Sequence, residues 1–256
     1  FLRVNILKTS AEKLRDSLAE ENIEAERVAN FPNTLQLKER KPVFKTKPFL
    51  RGEFEVQDGG SQQIAEFLRV EPGEFVIDAC AGAGGKTLHL SSLLQNRGRV
   101  LALDVHASKL SELEKRARRA SASNVETRAI ESTKTIKRLK GVADRLLLDV
   151  PCTGTGVIRR SPDTKWRVSP HEIEALTEEQ QEILKRYTQM VKPGGTFVYS
   201  TCSLLPLENA QQIKDFLENH PGYELEEEKT IKPTENGFDG FYMARLKAPL
   251  QSLDSN

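Results

Sequence analysis

From about residue 55 onward, short apolar segments alternate with longer amphipathic ones, and this alternation limits the possible folds more than any other feature of the chain. Buried strands are predicted at 75–81, 100–105, 125–130, 145–150 and 196–201. Helices are predicted at 61–70, 86–95, 108–120, 170–191 and 207–219, with late strands at 223–228 and 241–246. Such an alternation favours an α/β fold with a doubly wound, mostly parallel sheet covered by helices.

The first 55 residues have a different pattern, that of a small α+β unit. Strands are predicted at 2–7, 25–29 and 34–37. Thr9 and Glu12 have the spacing of a capping box, which predicts a helix with Leu14 and Leu18 on its buried face. We therefore predict a small α+β domain at 1–55, a larger domain at 56–250 and a tail at 251–256.

Composition excludes several classes of protein. A chain of 256 residues with 38% hydrophobic and 29% charged residues can bury a core, and it contains no apolar segment long enough to span a membrane. The three cysteines are too few and too scattered for a disulfide scaffold, and without a CxxC pair a metal site is not expected. A reducing, cytoplasmic location is expected, and the sequence does not indicate an oligomeric state.

The net charge of +1 does not by itself indicate a nucleic-acid partner. However, six basic residues crowd the segment 38–51, with Phe44 and Phe49 between them. Two interpretations remain open: a solvated loop, or a surface that contacts the backbone and bases of RNA.

A glycine-rich turn, DACAGAGGKT, occupies residues 78–87 between the first strand and first helix of the larger domain. Glycines let the backbone approach a ligand, and the helix offers free N–H groups. A phosphate-binding loop would need Gly in place of Cys80, and a dinucleotide fingerprint would need Gly in place of Thr87. Asp104 ends the next strand, where an acid can accept hydrogen bonds from ribose hydroxyls. We predict an adenosine-type cofactor contacted by Cys80, Ala81, Gly82, Ala83, Gly84, Gly85, Lys86 and Asp104.

Two cysteines follow the last two parallel strands. Cys152 comes after Asp149-Val150-Pro151, and Cys202 lies in the segment 200–203. If these strands are neighbours, they lie about 5 Å apart, and both thiols reach the same sheet edge as the cofactor. The alternative is that each is an inert buried side chain, which is common for cysteine.

Four segments, 78–87, 149–156, 160–166 and 199–203, closely resemble motifs of the Nop/Sun family of RNA (cytosine-5) methyltransferases, which includes bacterial 16S ribosomal RNA enzymes. Segments 2–5, 56–58 and 239–246 resemble that family as well, so the likeness extends from about residue 2 to 247. The resemblance implies a Rossmann-like class I methyltransferase sheet, S-adenosylmethionine as cofactor and RNA, in particular ribosomal RNA, as partner. The implied reaction is methyl transfer to C5 of cytosine through a covalent cysteine–C6 adduct.

The resemblance also implies roles for individual residues. Cys202, in the Thr-Cys motif, corresponds to the nucleophile, and Cys152, in the Pro-Cys motif, to the residue that assists release of the methylated product. Asp149 is expected to bind the cytosine or help to seat the cofactor. Lys86 is expected to stabilise charge near the cofactor or base, although an exposed lysine at a helix start would look the same.

Two further residues, Glu131 and Trp166, belong to this scheme. Glu131 stands where the family usually has an aspartate, and we expect it to contact the adenine amine. Trp166, the only tryptophan, has two open interpretations: stacking on a base, or packing within the protein.

Three other functions are compatible with parts of this sequence pattern. A nucleotide-dependent dehydrogenase would use the same glycine turn but leaves both cysteine motifs unexplained. A non-enzymatic RNA-binding or assembly factor would not need Cys152 and Cys202. A DNA cytosine methyltransferase would place its nucleophile in the Pro-Cys motif, which the resemblance disfavours.

Overall fold

The computed structural model describes residues 1–233 and 237–250 and contains two sheets. The predicted tail at 251–256 lies outside the described residues. The smaller sheet is antiparallel and has the order β2-β3-β1-β4. Its strands are β1 (Leu2–Val4), β2 (Ala25–Val28), β3 (Phe31–Leu37) and β4 (Phe54–Val56), accompanied by the helices α1 (Ala11–Ala19) and α2 (Lys47–Leu50).

The small sheet and α1 enclose a core of their own, in which Leu14, Leu18 and Phe54 are fully buried. The predicted capping box is wrong in one respect. Ser10, which has an extended backbone, caps α1 by accepting a hydrogen bond from the Lys13 N–H at 3.4 Å, so Thr9 is not the cap. Because β4 extends to Val56 and pairs with β1, the small sheet continues past residue 55, where the sequence placed the end of the small domain.

The larger sheet has seven strands in the order β10-β11-β9-β8-β5-β6-β7. They are β5 (Phe75–Asp78), β6 (Arg99–Asp104), β7 (Val125–Ala129), β8 (Ala143–Asp149), β9 (Val191–Thr201), β10 (Glu224–Ile231) and β11 (Phe241–Lys247). The helices are α3 (Gly59–Phe67), α4 (Gly85–Leu93), α5 (Ala107–Ala120), α6 (Thr133–Lys137), α7 (Thr164–Arg167), α8 (Pro170–Tyr187) and α9 (Ala210–Asn219). Strands β5 to β9 are parallel and β11 is antiparallel to both of its neighbours, so the expected doubly wound α/β sheet is confirmed.

Alternating side chains of the central strands build two cores, one on each face of the sheet. On β8, Leu146 and Leu148 join the core to which α6, α8 and α9 contribute. Leu147, between them, joins the core formed with α3 and α4. Since successive side chains of a strand point to opposite faces, this division covers both faces of the sheet with helices.

The connections create a crevice at one edge of the sheet. The chain passes from β5 outward to β6 and β7, and then returns to β8 on the other side of β5. Ligands of open α/β sheets bind where the strand order reverses in this way, beyond the carboxyl ends of the strands. The parallel pairing of β8 with β9, which sets Asp149 opposite Ser200, confirms that the strands preceding the two cysteines are neighbours.

The segment Pro193–Gly195 differs from the expectation that it turns the chain into a strand. It lies within β9, where the register with β8 shifts between Ala143 and Arg145. Gly194 has a φ of +72°, which a glycine adopts without the penalty of a side chain. The helix predicted to reach residue 191 accordingly ends at Tyr187 and is followed by one 3-10 turn.

The small sheet packs against helices of the larger one through specific polar contacts. The Asn5 side-chain amide donates to the Ala120 carbonyl at 2.8 Å, and the Thr34 hydroxyl donates to the Gln62 side chain at 2.6 Å. The division into two domains stays a prediction. In the described part of the chain, no helix combines the length and apolar character required to cross a membrane.

Candidate active site

The glycine turn follows β5 and is tied to both neighbouring strands. The Ala79 N–H donates to the Leu147 carbonyl at 3.0 Å, and the Ala81 N–H donates to Leu103 at 2.9 Å. Gly82 and Gly84 have φ values of +53° and +88°, which side chains rarely adopt. A Cβ at Gly84 would come within 2.4 Å of Leu113, whereas a Cβ at Gly82 would meet nothing within 4 Å. The turn is therefore packed on one side and open beside Gly82.

Asp104, at the end of β6, faces this turn. Its carboxylate accepts hydrogen bonds from the backbone N–H groups of Gly82 and His106, both at 2.8 Å. These bonds fix the carboxylate beside the open side of the glycine turn, where an acid is expected to meet ribose. Val105, the next residue, is 62% exposed although it is apolar, so a ligand held by Asp104 would find an apolar surface there.

Asp78 ends β5 and is almost completely buried. Burial raises the pKa of its carboxyl to about 7, although a hydrogen bond from the Thr87 hydroxyl acts in the opposite direction. That hydroxyl donates at 2.7 Å, which joins the end of β5 to the first turn of α4. Asp78 lies within the predicted motif, but the sequence assigned it no role.

Lys86 and Asp149 meet in the crevice between β5 and β8. The Lys86 Nζ lies 2.6 Å from the Asp149 carboxylate, and the Ser200 hydroxyl donates to the other carboxylate oxygen at 2.9 Å. Only 15% of the Lys86 side chain is exposed, so Lys86 is not the exposed helix-start lysine of the alternative interpretation. Burial opposes the charge, but Asp149 outweighs this effect and raises the pKa of Lys86.

The two cysteines converge as expected from their strands. Their Sγ atoms lie 3.4 Å apart, and both thiols are free and half-buried. A hydrogen bond from Cys152 lowers the pKa of Cys202, and the Lys86 ammonium acts in the same direction against burial and Asp149. The same hydrogen bond, together with burial, raises the pKa of Cys152. The pair is therefore asymmetric: the thiolate is favoured on Cys202 and the proton on Cys152.

The remaining predicted residues lie around this centre. Cys80 packs against the sheet core, and its removal from water raises the pKa of its thiol, so it stays protonated. Glu131 follows β7 at the same sheet edge, where it lines a cavity of about 450 Å³ with Tyr187. In the described part of the chain, no group of three or more His, Cys, Asp or Glu side chains is arranged to hold a metal ion.

Two residues of the predicted RNA-contacting segments are exposed. Trp166 on α7 is 88% exposed, which excludes packing within the core. Phe44 is 59% exposed and meets Phe49 edge to face, while Phe49 also lies under the Arg119 guanidinium. The segment 38–51 is therefore partly anchored and partly solvated.

The sequence did not reveal two buried residues that contact the cysteine loops, Glu208 and Asn209. Glu208 is fully buried and bonds to Thr153, and Asn209 bonds to Thr201 and Ser203. Their only signal in the sequence is a polar pair after an apolar Leu-Leu-Pro-Leu run.

Comparison with known proteins shows the family of the chain. A family model described as 16S rRNA methyltransferase RsmB/F matches residues 65–247. A protein of Pasteurella multocida named ribosomal RNA small subunit methyltransferase B is 41% identical over 262 residues, which cover 96% of this chain and 58% of that relative. The chain thus spans less than two thirds of the relative's length.

Two solved structures share the whole fold. The crystal structure of PH0851 matches with a TM-score of 0.91 and 31% identity over 96% of this chain and 58% of the other. A methyltransferase homolog protein from Pyrococcus horikoshii matches with a TM-score of 0.84 and 30% identity, over 96% of this chain and 85% of the other. These matches confirm the expected Rossmann-like methyltransferase fold and the S-adenosylmethionine-dependent class to which the motifs pointed. The chain belongs to the RsmB/F family of 16S rRNA methyltransferases.

Proposed function

We propose that this protein transfers a methyl group from S-adenosylmethionine to C5 of a cytosine in ribosomal RNA, with Cys202 as the nucleophile. The observation that carries the proposal is the pair of sulfur atoms 3.4 Å apart, in the crevice that also holds the Lys86–Asp149 ion pair. A dehydrogenase needs neither thiol, and a binding factor has no need to lower the pKa of one of them.

The residues at the sheet edge fit the cofactor. The space beside Gly82 admits a ligand against the backbone of the turn, and the Asp104 carboxylate retains lone pairs that can accept from ribose hydroxyls. Glu131, which follows β7, is proposed to accept a hydrogen bond from the adenine amine. When bound, S-adenosylmethionine supplies an electrophilic methyl group on a sulfonium centre.

The first step is nucleophilic addition. C5 of cytosine is a poor nucleophile, and addition of the Cys202 thiolate to C6 moves the electrons of the C5=C6 bond onto C5. C5 could then attack the methyl group of a bound S-adenosylmethionine, with the electrons of the broken S–CH3 bond staying on the sulfur of the leaving S-adenosylhomocysteine. Lys86 favours the thiolate before the addition. Asp149, already held by Lys86 and Ser200, has free lone pairs that can accept from the amine of the cytosine.

The second step is release of the product. Once Cys202 is bonded to C6 it carries no negative charge, so the main cause that raises the pKa of Cys152 disappears. Cys152 can then lose its proton to solvent and take the proton from C5. The electrons of the C5–H bond re-form C5=C6 and expel Cys202 as a thiolate.

RNA has to present an unstacked cytosine to this crevice. We propose that the predicted domain 1–55 and the exposed Trp166 contact the surrounding RNA. Arg40, Lys45 and Lys47 are exposed in the basic segment and are suited to phosphates, and an exposed indole offers a face on which a base can stack.

The test is methyl transfer from labelled S-adenosylmethionine to 16S ribosomal RNA, with two variants that serve as controls for each other. Cys202→Ala should abolish turnover and form no covalent complex with RNA. Cys152→Ala should form the complex and accumulate it. Full activity of Cys202→Ala would refute the assignment of the nucleophile, and methylation of DNA in preference to RNA would refute the proposed substrate.

A further inference from the structure

A buried carboxylate outside the predicted site holds the backbone next to Cys152. Glu208 is fully buried, and one of its oxygens accepts from the Thr153 backbone N–H at 2.8 Å and from the Gln180 side chain at 3.1 Å. Its other oxygen accepts from the Thr153 hydroxyl at 2.6 Å. Both oxygens thus contact the residue that directly follows Cys152.

The next residue holds the other cysteine loop in the same way. The Asn209 side-chain oxygen accepts from the Thr201 hydroxyl at 2.6 Å, and its amide donates to the Ser203 carbonyl at 2.9 Å. Thr201 and Ser203 are the two neighbours of Cys202. The adjacent side chains of Glu208 and Asn209 therefore hold the two loops that carry Cys152 and Cys202 through hydrogen bonds.

Further hydrogen bonds close the arrangement. Gln180, the partner of Glu208, also donates to the Pro151 carbonyl at 2.8 Å, on the other side of Cys152. The Gly156 N–H donates to the Cys202 carbonyl at 2.8 Å. Each cysteine is thus fixed through the residues on both of its sides, while its sulfur is left free to react.

A carboxylate is an unfavourable choice for this position if packing is its only purpose. Taking a carboxylate out of water costs free energy unless its oxygens are hydrogen-bonded, and an apolar side chain of similar size would fill the space without that cost. The three donors that satisfy Glu208 belong to Thr153 and Gln180, which flank or support Cys152. The cost is offset by contacts that orient one loop.

We propose that Glu208 and Asn209 are positioning residues of this active site: they hold the loops of Cys152 and Cys202 so that the Cys152 sulfur stays beside the reacting thiol. The inference rests on the proposed function, since it assigns to Glu208 the placement of the residue that completes product release. Both side chains are buried, so they act through the loops and not on the base. A loop released from Glu208 lets Cys152 drift from Cys202, and misplacement of a reacting group by about 1 Å can slow a step on the order of 100-fold.

The experiment compares formation and release of the covalent complex in the full chain, with S-adenosylmethionine and a 16S ribosomal RNA transcript. In Glu208→Ala we expect the first methyl transfer to proceed, the steady-state rate to fall on the order of 100-fold, and the protein–RNA complex to accumulate as in Cys152→Ala. Glu208→Gln keeps an oxygen that can accept from the Thr153 N–H, and it should restore most of the release.

Two further variants separate positioning from loss of stability. Thr153→Val removes the hydroxyl that donates to Glu208 and should accumulate the complex to a smaller extent, which tests the contact even if Glu208→Ala does not fold. Ile213→Val, a core change on α9 without a hydrogen bond to either loop, should lower the melting temperature and leave the ratio of formation to release unchanged.

Accumulation of the covalent complex in these variants tests the positioning role and the proposed mechanism separately. If Cys152→Ala accumulates the complex but neither the Glu208 variants nor Thr153→Val does, the positioning role is overturned and the mechanism stands. If Cys152→Ala itself accumulates no complex, both are overturned.

Discussion

The ammonium of Lys86 and the carboxylate of Asp149 lie 2.6 Å apart and join the first turn of α4 to the end of β8. This ion pair spans the point at which the strand order reverses, so it places a positive charge in the crevice that receives the cysteines. The ammonium favours the thiolate form of Cys202 and thus acts to lower the pKa of its thiol.

Lys86→Met should therefore slow alkylation of Cys202 by iodoacetamide. Lys86 and the hydrogen bond from Cys152 both lower the pKa of Cys202, and loss of the ammonium should raise it again. A higher pKa lowers the thiolate fraction near neutral pH, and because the thiolate is the form that reacts with iodoacetamide, the alkylation rate should fall with it. Mass spectrometry of the labelled peptide at pH 7 measures the rate. Lys185→Met, an exposed change on α8, is the control, and equal rates for the two variants would contradict the account.

Asp78 should make the protein less stable as the pH rises from about 4 to about 7. Burial raises the pKa of Asp78 in the folded state to about 7 from 3.8, so the folded protein binds the proton more tightly than the unfolded chain does. The stabilisation is complete below the lower value and is lost as the pH passes the higher one, a change of up to about 4 kcal/mol.

Asp78→Asn removes this titration and keeps an oxygen that can accept from Thr87. Urea unfolding at pH 5 and pH 8 measures the effect. The free energy of unfolding of the wild type, relative to that of the variant, should be lower at pH 8 than at pH 5. A difference that is the same at both pH values would show that Asp78 does not titrate in this range.

Substitution by alanine at Gly82 and at Gly84 of the glycine turn should destabilise the protein to different extents. A Cβ at Gly84 would collide with Leu113, so Gly84→Ala should lower the free energy of unfolding by about 2–4 kcal/mol. Gly82→Ala faces open space and should cost only the left-handed backbone, about 1–2 kcal/mol.

The affinity for the ligand should be affected in the opposite order from the stability when both variants are folded. Gly82→Ala places a methyl group in the space proposed for the ligand, and it should weaken binding of S-adenosylhomocysteine, measured by calorimetry, more than Gly84→Ala does. Unchanged affinity in Gly82→Ala would place the ligand elsewhere.

Trp166→Ala should weaken RNA binding without affecting folding. Because the side chain is 88% exposed, its loss should change the free energy of unfolding by less than about 0.5 kcal/mol. Loss of a base stacked on the indole should reduce the binding free energy for 16S ribosomal RNA by about 1–3 kcal/mol.

Leu250→Ala is a suitable control for Trp166, since Leu250 is 80% exposed and lies near Gly194, at the start of β9, whereas Cys202 follows its end. Gel-shift titrations at one fixed salt concentration compare the variants. Equal RNA affinity of Trp166→Ala and the wild type would remove the tryptophan from the interface.

The features that the sequence could predict are those with local or periodic signals. Apolar strands and the turn at 78–87 indicated the doubly wound sheet, and the similar positions of Cys152 and Cys202 at strand ends indicated their convergence. That convergence requires the two strands to be neighbours, which the sequence left open and the parallel pairing of β8 with β9 shows.

The features that the sequence could not predict depend on contacts between distant segments. Glu208 is 55 residues from Thr153 in the chain, and nothing local distinguishes it from the many exposed glutamates. Likewise, Lys86 could be read as an exposed helix-start residue until Asp149, 63 residues away, was placed beside it. At the capping box, adjacent Thr9 and Ser10 are both suitable caps, and the backbone path decides between them.

The most direct test of the central claim is to identify the cysteine that becomes attached to RNA. In 16S ribosomal RNA that contains 5-fluorocytosine, the fluorine replaces the C5 proton that release requires, so the covalent complex should be trapped in the wild-type protein. Digestion and mass spectrometry should then find the nucleotide on the peptide that contains Cys202. Attachment to Cys152, or no covalent complex with an RNA that the protein methylates in its unmodified form, would contradict the account.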